Sequence, residues 1–292
     1  MTDNARAIVL MIGSMAGFTA VDVFVKLARD TQSAGQVLAL TSAVIFAIFY
    51  ALMLRKGERL MTPLAWNRTM LIRSAGEVFG SLGIIVALGL VPLSTVTVLG
   101  QALPLAATLG AAIFLGEQVG WRRWAAVSAG FLGVLLILRP GLEGFDPNAL
   151  WVLMYIIGLA ARDLASRGLP REITTNFAVA WSMIFLTLAG VGLVWVEGGW
   201  QPVDGPTAFY LLAISLSAAV GVALITMAMR LGEVSAVAPF RYSRLLFALA
   251  LAFLVFGEVP DAATWAGSAL IVGSGLYAFW RERQLAARAR DA

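Results

Sequence analysis

Asp22 and Lys26 stand four residues apart in the stretch GFTAVDVFVK, inside an apolar run from Ala5 to Leu27 long enough to cross a bilayer. The run GLAARDLASR sets Arg162, Asp163 and Arg167 in a similar place, Arg73 and Glu77 repeat the four-residue spacing, and Arg241 and Arg244 sit in a further apolar run. An ionisable group at the centre of a membrane helix costs about 2.5–3.5 kcal/mol on insertion scales, so it faces an opposite charge or a water-filled cavity. Residues four apart share a helix face and can pair there. The chemistry on offer is therefore reversible ion pairing, in a fixed network or in a gate that exchanges partners. The plainer alternative is that the pairs lower the cost of insertion and fix packing, with arginines reaching to lipid phosphates. Bond-making chemistry finds no support. Histidine and cysteine are absent, which excludes a histidine triad, disulfides and Cys/His zinc sites. No H-E-x-x-H, G-x-S-x-G or G-x-x-x-x-G-K-[ST] occurs either. The sequence calls for no cofactor and no metal.

The elements that must position these charges are membrane helices. Of the 292 residues 60% are hydrophobic and 13% charged, and the mean hydropathy is +0.86. A water-soluble domain of that composition would leave large apolar patches exposed. A helix of roughly 20 apolar residues crosses the hydrocarbon layer, and the sequence offers ten such runs, near 6–27, 34–54, 70–90, 93–115, 121–138, 149–167, 174–196, 207–230, 234–256 and 262–280. Barrel-type alternation is missing, so helices satisfy the backbone. The fold class is an all-α polytopic membrane protein. The first run exceeds a signal-peptide h-region of about 7–15 residues, and no A-x-A site follows it, so it is expected to stay in the mature chain.

Fourteen of the 21 basic residues fall in the tails and the loops on the side of the termini, among them Arg6, Arg55, Lys56, Arg59, Arg122, Arg123, Arg171 and Arg283. Only Arg29 and Arg139 fall on the other side. Basic loops mark the cytoplasmic face, so both termini are expected there. This placement also explains the net charge of +4 without invoking nucleic acid. No obligatory protein partner is evident; the expected partners are the bilayer and a small-molecule substrate.

Sliding the chain against itself by 141 residues lays Asp22 on Asp163, Lys26 on Arg167, Gly17 on Gly158, Ser74 on Ser215, Gly80 on Gly221, Ser94 on Ser235, Gly116-Glu117 on Gly257-Glu258 and Trp124 on Trp265. The chain divides into repeats at 1–141 and 142–292, each with five helices. Five is odd, so the second repeat enters the membrane from the opposite side. Inverted repeats of this kind build secondary transporters, where each half can adopt the other's conformation.

The paired closings AAIFLGEQ and LAFLVFGEVPD, the stretch EVSAVAPFRYSRLLFALALAFLVFGEVPD and the following WAGSALIVGSGLYAFWRER resemble the drug/metabolite transporter superfamily with tandem EamA domains. The resemblance covers nearly the whole chain. It implies an inner-membrane carrier of small metabolites working by alternating access. Bacterial amino-acid exporters of the YddG type share the size and topology, so amino acids, aromatic ones included, and export are the expected function. Members that take up riboflavin or S-adenosylmethionine share the PFRY-type stretch, which keeps uptake as the alternative. From other classes, an enzyme lacks catalytic motifs, and a channel lacks rings of acidic residues or a carbonyl-rich filter.

The expected substrate cavity draws on Thr19 and Gln101 near the midplane and on Tyr242 a little to the cytoplasmic side. Phe18, Phe79, Tyr155, Trp181 and Phe240 supply aromatic wall. Gln101 stands three residues before Pro104 in GQALP, and a proline there frees a carbonyl in the preceding turn. Depth places Asp22 and Lys26 in the outer third of their run and Arg162, Asp163 and Arg167 in the cytoplasmic third of theirs. Arg73, Glu77, Arg241 and Arg244 approach from the cytoplasmic side, so a closed gate there would join Arg241 and Arg244 to Glu77 and Asp163. Gly13-x3-Gly17 and Gly76-x3-Gly80 offer small faces for close helix approach, and Gly257 suits a helix C-cap with no catalytic role for Glu117 or Glu258.

Overall fold

The computed structural model describes residues 3–116, 120–140, 146–170, 172–232 and 237–291. Glu117, Arg171 and Ser235 lie outside them, as do the side chains of Arg123, Arg283, Arg288 and Arg290. The described residues form helices α1 (Asp3–Arg29), α2 (Ala34–Arg55), α3 (Arg68–Leu90), α4 (Leu93–Gly100), α5 (Leu103–Phe114), α6 (Trp121–Leu138), α7 (Leu150–Arg167), α8 (Thr175–Val196), α9 (Gly205–Leu231), α10 (Ser243–Phe256) and α11 (Ala262–Asp291). Nine helical stretches among them are long and apolar enough to span a membrane, and α6 supplies a shorter one, Trp124–Leu138.

Two of the ten expected runs are interrupted. The run 93–115 is α4 followed by α5, with Gln101 and Ala102 in tight i→i+3 turns whose amides reach Val98 O at 3.1 Å and Leu99 O at 2.9 Å. Pro104 is the cause, since its ring collides with the carbonyl four residues back and its nitrogen has no proton to donate. The ninth run enters α10 through a 3-10 turn at Ala238–Tyr242 that contains Pro239. Under the 141-residue shift Gln101 corresponds to Tyr242, so both interruptions fall at the same place in their repeats.

The chain forms two compact units, each drawn from both repeats: Met1–Thr19, Pro92–Ala149 and Val220–Ala292 in the first, Ala20–Val91 and Leu150–Ala219 in the second. In the second unit α3 packs along α7 and α2 along α8. Both contacts depend on missing side chains. A Cβ on Gly76 would lie 2.7 Å from Arg162 N and from Gly158 O, and one on Gly190 would lie 2.5 Å from Ala39 N. Glycine there lets backbones approach and gain dispersion contacts that lipid could not replace. The C-terminal part of α1 meets α9 through Phe24 against Phe209 and Tyr210, and beyond it Thr31 meets Thr207 at 3.0 Å.

In the first unit α6 packs along α11, and α4 packs against α10 and α11. The remainder of α1 and α9 packs around Ala7, Met11, Met15 and Ala228, with Ser14 Oγ donating to Gly221 O at 2.7 Å. Exchanging the repeats turns the pair α3·α7 into α9·α1 and returns α2·α8 and α6·α11 to themselves, as an inverted repeat requires.

The helix ends are closed by carboxylates borrowed from neighbours, because the first amides of a helix have no internal acceptor. Gly257 ends α10 in the left-handed region (φ 65°), which only glycine enters without strain. The turn it makes carries Glu258 onto the start of α4, where the carboxylate accepts from Leu93 N, Ser94 N and Ser94 Oγ, each at 2.9 Å. Glu197 does the same for α2, accepting from Gly35 N at 2.7 Å and Ala34 N at 3.2 Å. Arg139 pairs with Asp261, which also caps α11 by accepting from Thr264 N at 2.8 Å.

Candidate functional site

The first unit places its polar interior where the two half-helices begin. Thr97 on α4 and Gln101 at its C-cap lie four residues apart, and only 5% and 7% of their surface is exposed. Thr97 Oγ1 is buried without a hydrogen-bond partner, and the Gln101 side chain makes no hydrogen bond among the described residues. In the other repeat Ser243 Oγ is likewise buried and unpartnered, next to Tyr242, whose hydroxyl lies against Gly275 of α11 where any larger residue would collide. Leaving a buried hydroxyl unsatisfied is unfavourable by about 1–3 kcal/mol, and these two lie near the matched helix breaks. Phe18 forms a wall against Gly221, and the Arg244 guanidinium stands over its ring at 5.9 Å. Phe240 and Arg241, in the 3-10 turn, are exposed. Thr19 is fully buried and spends its hydroxyl on Met15 O at 2.9 Å, a bond internal to α1.

The second unit holds a four-charge cluster. Arg162 Nε and Nη2 donate to Asp163 Oδ1 at 2.9 and 2.8 Å, and its Nη1 donates to Glu77 at 3.2 Å. Arg73 lies 3.7 Å from Glu77 on the i, i+4 spacing, and donates to Ala178 O at 3.0 Å and Ser182 Oγ at 2.6 Å. Ser74 Oγ meets Ser182 Oγ at 3.0 Å. The cluster is neutral overall and binds α3, α7 and α8 together. Each acid has its guanidinium beside it in the same unit.

The remaining expected residues are spread through the second unit. Asp22 is 2% exposed on α1. Lys26 donates to Val91 O at 3.1 Å, and Arg167 closes the last turn of α7. Tyr155 packs against Gly83. Trp181 is buried among Trp66, Phe177 and Phe185, its Nε1 without a partner, and Phe79 is exposed. The expected cavity set therefore divides: Phe18, Thr19, Gln101, Phe240 and Tyr242 belong to the first unit, and Phe79, Tyr155 and Trp181 to the second. Arg241 and Arg244 belong to the first unit, and the other members of the charge set to the second. Thr97, Ser182 and Ser243 escaped the sequence reading, because a lone hydroxyl in an apolar run bonds to its own helix as readily as to a ligand. The one available signal was position, since Thr97 lies one turn from Gln101 and Ser243 follows its counterpart Tyr242.

Comparison with known proteins decides the family. Residues 5–139 and 147–280 each match the EamA-like transporter family. The chain belongs to that family. It is a multi-pass membrane protein and a transporter. Among its relatives are an S-adenosylmethionine uptake transporter of Rickettsia felis, 26% identical over 219 residues that cover 73% of this chain and 72% of the relative. A riboflavin transporter of Rhizobium johnstonii is 32% identical over 203 residues, 68% of this chain and 67% of the relative. A pseudopaline exporter of Pseudomonas aeruginosa is 27% identical over 272 residues, 90% and 93% of the two chains. A solved structure superposes with a TM-score of 0.59 at 20% identity, covering 91% of this chain and 97% of the other, and shows the shared fold.

Proposed function

We propose that the transporter is a secondary carrier that exports amino acids, aromatic ones included, or similar zwitterionic metabolites across a bacterial inner membrane by alternating access. Both termini are cytoplasmic in this reading, and the repeats are 1–141 and 142–292. The observation that carries it is the pair of matched interruptions at Gln101 and Tyr242 with buried hydroxyls beside them. Interrupted helices at corresponding positions of inverted repeats are where secondary carriers hold their substrates. Phe18, Gln101, Tyr242 and Phe240 line the site, with Thr97 and Ser243 as further hydrogen-bonding groups. In the same reading Tyr155 and Trp181 serve packing, and the cluster Arg73, Glu77, Arg162 and Asp163 is a lock that keeps the second unit rigid.

Uptake is the second reading, favoured by the riboflavin and S-adenosylmethionine transporters among the relatives. Counterflow in proteoliposomes separates the two. Labelled phenylalanine, methionine, riboflavin and S-adenosylmethionine are presented one at a time, and the carrier reading requires saturable exchange of at least one. Exchange of an amino acid, lowered in Gln101→Ala and Tyr242→Ala protein that still reaches the membrane, supports the first reading. Exchange of riboflavin or S-adenosylmethionine alone supports the second.

A further inference from the structure

We infer that a cavity at one end of the second unit is a binding site separate from the helix breaks, and that it takes a small zwitterionic solute of the α-amino-acid kind. The connection from α2 to α3 supplies Glu58, Arg59, Thr62 and Leu64 to its wall. The connection from α7 to α8 and the start of α8 supply Glu172, Ile173 and Phe177. All of them belong to the second unit, so the site stands on that unit alone, whichever solute the carrier moves.

Fixed contacts frame the cavity. Thr174, the N-cap of α8, accepts from Phe177 N at 3.2 Å and donates to Glu58 Oε2 at 2.7 Å, which ties one wall to the other. Phe177 stacks on Trp181, and Trp181 meets Trp66 edge to face, which ties them a second time. The volume is about 190 Å³, more than the about 150 Å³ that admits benzene, so a compact metabolite fits.

The lining offers both signs of charge around an apolar floor. Phe177 is buried, Leu64 and Ile173 are partly buried, and Thr62 Oγ1 is buried without a hydrogen-bond partner. Arg59 and Glu172 are exposed and edge the opening. The connections 56–67 and 168–174 hold two acids, Glu58 and Glu172, and both line the cavity. Of their three basic residues Arg59 lines it, Lys56 does not, and Arg171 lies outside the described residues. Arg55 and Arg68, at the adjoining helix ends, are exposed and outside the lining. The two carboxylates therefore set the cavity apart from the basic face around it. They suit an ammonium group, the Arg59 fork suits a carboxylate, and the apolar floor suits the side chain between them. A solute with one charge alone satisfies only half of this lining.

The test uses leucine, which carries both charges, leucinamide, which carries only the positive one, and N-acetylleucine, which carries only the negative one. Each is titrated onto the full-length protein in detergent, and slowed hydrogen exchange in segments 58–66 and 172–177 reads occupancy of this cavity. Leucine should reach half-maximal protection at a concentration at least about fivefold lower than either analogue, near the upper end of what a partly exposed ion pair supplies. Arg59→Gln should bring leucine to the level of leucinamide, and Glu58→Gln with Glu172→Gln should bring it to the level of N-acetylleucine. No protection of these segments by leucine, equal potency of the three probes, or an unchanged response in R59Q would each overturn the inference. Arg59 is exposed, so the wild-type series and R59Q decide the matter should the double variant fail to fold. Saturable counterflow with no protection of 58–66 refutes this inference and leaves the carrier reading standing, whereas protection there without flux of any probe does the reverse.

Discussion

Replacing Arg162 by glutamine tests whether the second unit's charges are a lock. Arg162 is the hub: it meets Asp163 at 2.8 Å and Glu77 at 3.2 Å, while Arg73 reaches Glu77 only at 3.7 Å. Without it, two carboxylates share one distant guanidinium, and the neutral cluster becomes a net negative one. Removing one partner of a buried pair costs about 3–5 kcal/mol, because the other charge stays buried and uncompensated. The Arg162 side chain is 26% exposed, so water relieves part of this, and a loss near the lower end, about 3 kcal/mol, is expected. Removing Asp163 as well (Arg162→Gln with Asp163→Asn) restores neutrality around the Arg73–Glu77 pair. The double variant should recover at least about 1.5 kcal/mol relative to the sum of the single changes. Reversible SDS unfolding in mixed micelles measures all four corners of the cycle. A coupling below about 0.5 kcal/mol, or a wild-type-like R162Q, would refute the lock.

Further outcomes follow from the same contacts. Gly80→Leu places a side chain against Leu159 of the facing helix, and overpacking of about 1–3 kcal/mol should appear as loss of folded protein in fluorescence-detected size exclusion, with Gly273→Leu, which meets nothing within 4 Å, as the tolerated control. Glu258→Ala frees three donors at the start of α4 and should cost about 2 kcal/mol, with Glu258→Gln losing less, and hydrogen exchange should rise at Leu93 and Ser94 in both. The Thr264 hydrogen bonds, with Arg139 beside them, hold the Asp261 carboxyl below its usual 3.8. A depressed folded value means its contribution is whole above the usual value and is lost as pH falls through the folded one, so Asp261→Asn should flatten the acid limb of the melting curve. For topology, the native chain has no cysteine: single cysteines at Lys56 and Gly199 should react with a membrane-impermeant maleimide on intact cells only at the latter.

The repeat shows how far reading by type and spacing carries. The 141-residue shift found counterparts such as Gly80 and Gly221, and the structure then uses both for close approach, one against Leu159 and the other against Phe18. Arg73 and Glu77 were legible as a pair because four residues bring two side chains to one helix face. Ser182 was not, because its partner Arg73 lies 109 positions away and nothing local to either residue specifies the meeting. Pro104 announced an interruption in its own helix. The matching interruption before α10 follows a different proline, Pro239, and the two coincide only under the repeat. Glu258 read as the tail of a Gly-Glu closing, but its role belongs to the orphan amides of a helix 165 residues away.

Local physics explains the division. Hydropathy, helix breakers, charge bias and the repeat are properties of runs of neighbouring residues, so the sequence by itself determined that this is an all-helical, inverted-repeat membrane transporter with charges in unusual places. Which carboxylate meets which guanidinium depends on packing between helices far apart in the chain, where glycines such as Gly76 and Gly190 let backbones touch and so fix the register. That packing, which only the tertiary structure decides, gathered Arg73, Glu77, Arg162 and Asp163 into one neutral cluster and set Arg244 over the ring of Phe18.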